Sequence, residues 1–170
     1  MAGGFIGNIP AEDKNMLLVF IFLALVGFGC KAGLFPLQDW LPTAHPVAPS
    51  PASAVLSGVI TKSGVFVIIR LVFFSIGADF IRGTWVQYAW MGLALLTVFL
   101  GSMMAYNEKV MKKRFAYSTV SQVSYVLFGL SILSATGMKG ALLHVIFHSV
   151  IKDGLFLVAG AIIVYTGIKN

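Results

Sequence analysis

The chain has 170 residues, 58% of them hydrophobic and 11% charged, a composition that excludes a water-soluble domain of this size and reads as an integral membrane protein. Its single cysteine, Cys30, excludes an internal disulfide and any cluster held by several thiolates, so redox chemistry within the chain is not expected. The formal charge of +6 is densest between Lys109 and Arg114 and otherwise scattered, which reads as topology information and not as a nucleic-acid patch.

The N-terminal MAGGFIGNIPAEDKN has neither a basic n-region nor a small-residue cleavage site, so it is not a signal peptide. Gly3, Gly4, Asn8 and Pro10 give it the look of a loop between helices, as of a chain that begins inside something larger, and Glu12 is read as part of that loop. Span A is expected from about Asn15 to Gln38, apolar until Lys31. Pro36 cannot donate to the carbonyl of Ala32 and clashes there, so the helix should break or kink near Pro36, just after the lysine. Broken helices at membrane depth are tolerated where they line a cavity or are covered by protein. Gly29 and Gly33 are spaced to permit close approach by another helix. In the connection DWLPTAHPVAPSPAS the prolines at 42, 46, 49 and 51 forbid a continuous helix. Span B then runs from Pro51, tolerated in a first turn, to about Phe74. Lys62 lies about 11 residues in, roughly 16 Å deep and near the midplane, and Arg70 is placed to snorkel to the far surface.

Span C, about Trp85 to Tyr106, is uncharged and carries Trp85, Tyr88 and Trp90 at one end and Tyr106 at the other, as an aromatic belt requires. The basic loop NEKVMKKR is placed on the cytoplasmic side of a prokaryotic plasma membrane. Alternation then sets the N-terminus and the Gly77–Thr84 loop outside and the C-terminus in the cytoplasm. Span D, Phe115 to Ser134, is studded with Ser118, Thr119, Ser121, Gln122 and Ser124, residues that hydrogen-bond across helices or hold water. Span E is Gly140 to Gly167. The reading is an all-α, polytopic membrane bundle of about five transmembrane helices, the first one broken, in a single membrane domain over residues 1–170.

Span E holds the costliest residues. His144, His148 and Lys152 recur every four positions and so spread over only about 80° of one helix face, looking at one neighbour. A lysine at such depth costs roughly 2.5–3.5 kcal/mol on insertion scales, while discharging it at neutral pH costs about 5 kcal/mol. The two are comparable, so a neighbouring charge decides whether Lys152 keeps its proton. These groups either line a helix interface or mark an ion path; three of them at this spacing, with further lysines in other spans, favour the path. Asp153, about 100° from Lys152 on the helix, is placed to salt-bridge a neighbouring span.

Three stretches carry a resemblance: CKAGLFPLQDWLPTAHPVAPSPASAVLSGVITKSGVFVIIR, RFAYSTVSQVSYVLFGL and HVIFHSVIKDGLFLVAG. Together they resemble the antiporter-like membrane subunits of respiratory complex I, Mrp-type cation/proton antiporters and membrane-bound hydrogenases. The resemblance implies that Lys31 is the lysine beside a helix break that pairs with a glutamate on an earlier span. It implies further that Lys62 is the mid-membrane site of the next helix, and that His144, His148 and Lys152 continue a polar axis passing protons between two half-channels. The chain corresponds to the family's seventh through eleventh spans, the central part of a longer subunit. The glutamate partner of Lys31 is expected upstream, since Glu12 in a loop is no substitute, and the ionisable group of the exit half-channel is expected downstream. Asp153 stands where relatives more often carry a small residue.

The expected function is translocation of protons, with cation/proton exchange including sodium as a variant, within a membrane-bound redox-driven or antiporter complex. Lys31, Lys62, His144, His148 and Lys152 would carry the ions, with water filling the gaps between helices. The rival is a structural subunit or truncated remnant that packs beside other subunits. A haem is unfavoured, because two histidines on one helix face cannot take opposite axial positions, and a shared zinc lacks a third ligand. No catalytic site, metal or cofactor is therefore expected, and any oxidation of NADH or hydrogenase chemistry belongs to other subunits. The expected partners are the lipid bilayer and other membrane subunits, with no nucleic acid.

Overall fold

The computed structural model describes residues 11–167. The loop expected at the extreme N-terminus falls on residues outside this range, and Glu12 lies in the first turn of a helix instead of in that loop. Among the described residues the secondary structure is helical throughout: α1 (Ala11–Ala32), α2 (Trp40–Val47), α3 (Ser50–Val55), α4 (Thr61–Ile69), α5 (Ala78–Ile81), α6 (Trp85–Asn107), α7 (Met111–Ser131) and α8 (Ala135–Thr166). The π-helical segment Leu56–Ile60 joins α3 to α4, and a second, Arg70–Ile76, extends α4, so that Ser50–Ile76 is one rod.

Four of these rods are long and apolar enough to cross a membrane: Asp13–Ala32, Ser50–Ile76, Trp85–Asn107 and Ala135–Thr166. The fifth expected span, α7, has 21 residues and so the length, about 31 Å, but not the hydropathy. Its first turn holds Lys112, Lys113 and Arg114, and serine, threonine and glutamine dominate its middle. The physical reason is position. Only Arg114 and Tyr125 of α7 are exposed, because α1, α2, α4, α6 and α8 all pack on it; a helix sheathed by others need not be oily toward lipid. By contrast α8 turns Leu143, Ile146, Phe147, Val150 and Ile151 outward.

The first span ends sooner than expected, and glycine ends it before proline can. Gly33 has φ +88°, donates to Cys30 O (3.1 Å), and is followed by Leu34 N donating to Gly29 O (2.8 Å), the paired bonds of a Schellman cap. The helix therefore stops at Ala32 and not at Gln38. The Phe35–Pro36 peptide bond beyond it is cis. Gly29 does not serve another helix: the space beside it is taken by Leu34 of the same turn. The close helix approach falls instead at Gly64, where an added Cβ would lie 2.8 Å from Phe28 O and 2.9 Å from Ala32 N of α1. The proline-rich connection is two short helices, with Pro42 and Pro46 both inside α2 and Pro51 in the first turn of α3.

The interior has two halves. Leu18, Ile21 and Leu25 of α1, Val65, Ile68 and Val72 of the rod, Trp90 and Ala94 of α6, and Val123 and Leu127 of α7 form an apolar core. Trp90, expected in the aromatic belt, is 1% exposed and belongs to this core, whereas Trp85, Tyr88 and Tyr106 are on the surface. The other half, between the rod, α7 and α8, is polar: Ser53, Ser57, Thr61, Lys62, Thr119, His148 and Lys152 are all buried there. The connections sort to two ends. Lys112 Nζ donates to Ala48 O at 3.0 Å, and Pro46, Pro49, Val110 and Ile163 meet in one groove with Lys112. Arg82 Nη2 donates to Leu133 O at 2.6 Å at the opposite end. At the first end Lys113 pairs with Glu108 at 2.9 Å, and that hydrogen bond holds the Glu108 carboxyl below the usual glutamate range, backed by the Val110 N–H.

Candidate functional site

Lys62 sits at the middle of the rod Ser50–Ile76, immediately past the π-helical turn Leu56–Ile60. Thr61 N–H reaches back to Leu56 O, so the local register is one residue looser than an α-helix, a device often found where a side chain must be re-aimed. The Ser57 carbonyl takes the consequences: it accepts from Thr61 Oγ1 (3.0 Å) and from the Lys62 ammonium. Lys62 is 2% exposed.

From Ser57 the polar contacts cross to α7 and then α8. Ser57 Oγ and Thr119 Oγ1 are 2.7 Å apart, and Thr119 Oγ1 donates to Phe115 O at 2.9 Å. With that proton committed, Ser57 must be the donor of the first bond, since each hydroxyl has one hydrogen. Phe115 O also accepts from Lys152 Nζ at 3.1 Å, and the Lys152 ammonium lies 5.7 Å from the Phe115 ring centroid. Lys62 and Lys152, the latter 3% exposed, are thus tied together by two hydroxyls and two carbonyls. Among the described residues the ion pairs are Arg82–Asp79 and Lys113–Glu108, so neither buried ammonium has a carboxylate within 4 Å.

One turn back along α8, the rings of His144 and His148 lie 5.9 Å apart and nearly parallel, at 9°. Both nitrogens of His148 and Nε2 of His144 are buried without a hydrogen-bond partner among the described residues. A cleft of about 290 Å³ opens beside them, lined by Ser118, Gln122, His144, His148 and Lys152. A second, of about 480 Å³, shares Ser118 and Gln122 and runs to Arg114 and Tyr106 at the basic-loop end. Each has ample room for water, which needs about 10–15 Å³ and two to four polar partners. Among the described residues no three metal-ligating side chains converge.

Lys62, His144, His148 and Lys152 therefore share one polar layer, and Lys31 does not. It is in the last turn of α1, exposed, with its ammonium 5.8 Å from the Trp40 ring. Trp40 is anchored through Nε1 to Cys30 O at 2.9 Å, the carbonyl that also accepts from Gly33 in the cap. Three residues escaped the reading of the sequence as site groups. His45 is fully buried, stacked on Phe156 at 4.6 Å, with neither nitrogen paired among the described residues; a histidine amid four prolines gives no hint of burial. Ser57 matters only through the π register. Asp153 turns onto Gly58 of the rod, and its odd place beside Lys152 was the signal for it.

A first helix ended by a glycine cap, a polar seam between three rods and buried ammonium groups with no carboxylate within 4 Å among the described residues define an α-helical membrane protein with charge held in its interior. The sequence matches, over residues 6–168, the family described as NADH:quinone oxidoreductase/Mrp antiporter, TM; the chain belongs to that family. It is 34% identical over 162 residues to NADH-quinone oxidoreductase subunit N of Desulforudis audaxviator, covering 95% of this chain and 32% of that protein. It is 40% identical over 156 residues to hydrogenase-4 component B of Escherichia coli, covering 83% and 22%. Among solved structures it superposes on a chain of the Mrp complex from Dietzia sp. with a TM-score of 0.81 at 26% identity, over 89% of this chain and 28% of that one. On a chain of the membrane-bound sulfane sulfur reductase, an archaeal respiratory membrane complex, the TM-score is 0.76 at 33% identity, over 91% and 26%. The chain thus spans about a third or less of the length of the curated relatives it matches.

Proposed function

We propose that this chain is the central part of a proton-translocating membrane subunit, working within a larger complex in a prokaryotic plasma membrane with the basic-loop end in the cytoplasm. The observation that carries the reading is the burial of Lys62 and Lys152 without a carboxylate within 4 Å, joined through Ser57, Thr119 and Phe115 O. A buried amine without a fixed counter-ion changes its charge in response to its neighbours. A proton on Lys62 and a proton on Lys152 repel, so arrival at one favours departure from the other. The Ser57 and Thr119 hydroxyls tie the rod to α7 between the two amines; the carbonyls at either end only accept, so the proton crosses on water held beside these hydroxyls, and the His144–His148 cleft, with water in it, continues the path along α8. Lys31, on the open face of α1, takes its partner from outside this segment. Membership of a family that includes complex I and Mrp subunits supports the reading, and other membrane subunits are the expected partners.

The test is ion pumping by the assembled complex in sealed vesicles. Lys62→Ala and Lys152→Ala should each abolish pumping while the complex still assembles. Wild-type pumping in both variants overturns the proposal and leaves a scaffold that packs beside other subunits.

A further inference from the structure

Asp153 is the one acidic side chain of α8, and the path above makes no use of it. It follows Lys152 directly, so it points about 100° away around the helix, onto the π-helical turn of the rod. Its carboxylate fills the space in which a side chain on Gly58 would begin; only glycine permits that approach. Asp153 Oδ1 is buried and accepts no hydrogen bond among the described residues. One residue earlier on the same turn, the Ser57 carbonyl holds the Lys62 ammonium. Carboxylate and ammonium thus reach neighbouring residues of one turn from two different helices, without closing to 4 Å. The charged or titratable groups of this polar layer are Lys62 from the rod and His144, His148, Lys152 and Asp153 from α8, and Asp153 alone among them is acidic.

A carboxylate placed here without a donor is strongly unfavourable unless a positive charge compensates it, and the charge within reach on the facing helix is Lys62. We infer that Asp153 is the counter-ion of Lys62, a positioning residue that draws the ammonium from the Ser57 carbonyl toward the α8 side of the polar seam. This rests on the proposed proton path and adds a charge count to it. With two ammonium groups and one carboxylate in the layer, one positive charge is balanced and one is left for the path to move. The flexible four-carbon stem of Lys62 supplies the displacement, and Gly58 keeps the gap clear.

The experiment is a double-variant cycle in the purified, assembled complex: Asp153→Asn, Lys62→Met, and both together, each read by thermal melting and by pumping in vesicles. Each single change should lower the melting temperature, because it leaves one buried charge without its partner. The double variant should melt above either single variant, because it removes both charges. Asp153→Asn should slow pumping while the complex still assembles. If Asp153→Asn fails to assemble, recovery of assembly in the double variant carries the same information. Additive losses of stability, no recovery in the double variant, or full pumping by Asp153→Asn would overturn the inference. Full pumping by Lys62→Met would instead overturn the path on which it rests, so the two failures are told apart.

Discussion

A charged amine in hydrocarbon costs a few kcal/mol, and Lys62 and Lys152 each donate to a backbone carbonyl, with no carboxylate of the described residues closed to within 4 Å. Such bonds satisfy the ammonium without locking its charge, which is what a transfer site requires. The hydroxyls between them then become the residues to test. Thr119→Val keeps the shape of the side chain and deletes the bond to Phe115 O and the acceptor for Ser57. Losing one such hydrogen bond is worth about 1 kcal/mol, and a stranded partner more, so pumping should fall roughly tenfold with the complex still assembled; Ser57→Ala should act in the same direction. Pumping at the wild-type rate by both variants, measured in sealed vesicles, would remove the hydroxyls from the path. The lysines were legible in the sequence because a charge in an apolar run has no cheap explanation. Ser57 was not, since a serine in a span is ordinary until the π turn aims its carbonyl at Lys62.

Among the elements, glycine positions decide where helices stop and how closely they meet. Gly64 abuts the α1 backbone at Phe28 and Ala32, and backbone cannot swing aside as a side chain can. Gly64→Val should therefore destabilise the complex by about 1–3 kcal/mol or more, seen as a lower melting temperature, whereas Gly92→Ala on α6, with nothing within 4 Å, should be neutral or mildly stabilising. Equal melting of the two would contradict the α1–α4 contact. Gly33→Ala, at φ +88°, should cost about 1–2 kcal/mol and loosen the break beside Lys31. The break was expected just after Lys31 and is found there, but its cause was read as Pro36 and not Gly33, because a proline is a visible stop signal whereas a glycine inside an apolar run is read as a packing residue. The polar character of α7 is likewise an element-scale fact: its serines and threonines are affordable at the centre of the bundle and would not be on its rim.

For the whole molecule, the odd and even connections collect at opposite ends. The turn between α2 and α3, the basic loop before α7 and the late part of α8 share one end; the segment around α5 and the α7–α8 turn share the other. In a Cys30→Ser background, cysteines placed at Val47 and Lys109 should react with an impermeant thiol reagent from the same side of the membrane, and one at Asp79 from the opposite side; all three positions are exposed. Labelling of Val47 and Lys109 from different sides would break this arrangement. These contacts put successive connections of the described residues at opposite ends, and the expectation that the basic end faces the cytoplasm rests on the charge rule.

Composition and spacing alone determined that the chain lives in a membrane, that it is helical, roughly where each span lies, and that lysines at 62 and 152 and histidines at 144 and 148 are costly enough to demand a reason. All of these follow from local rules, the length of a helix against the thickness of hydrocarbon and the price of an isolated charge. What faces what is not local. Tertiary structure decided that the Schellman cap at Gly33 ends the first span, that α7 is sheathed, that Lys31 lies outside the polar layer, and that Asp153 meets the π turn whose Ser57 carbonyl holds Lys62. Helix order in the sequence does not state which faces are turned together, and a single π turn rotates every residue after it.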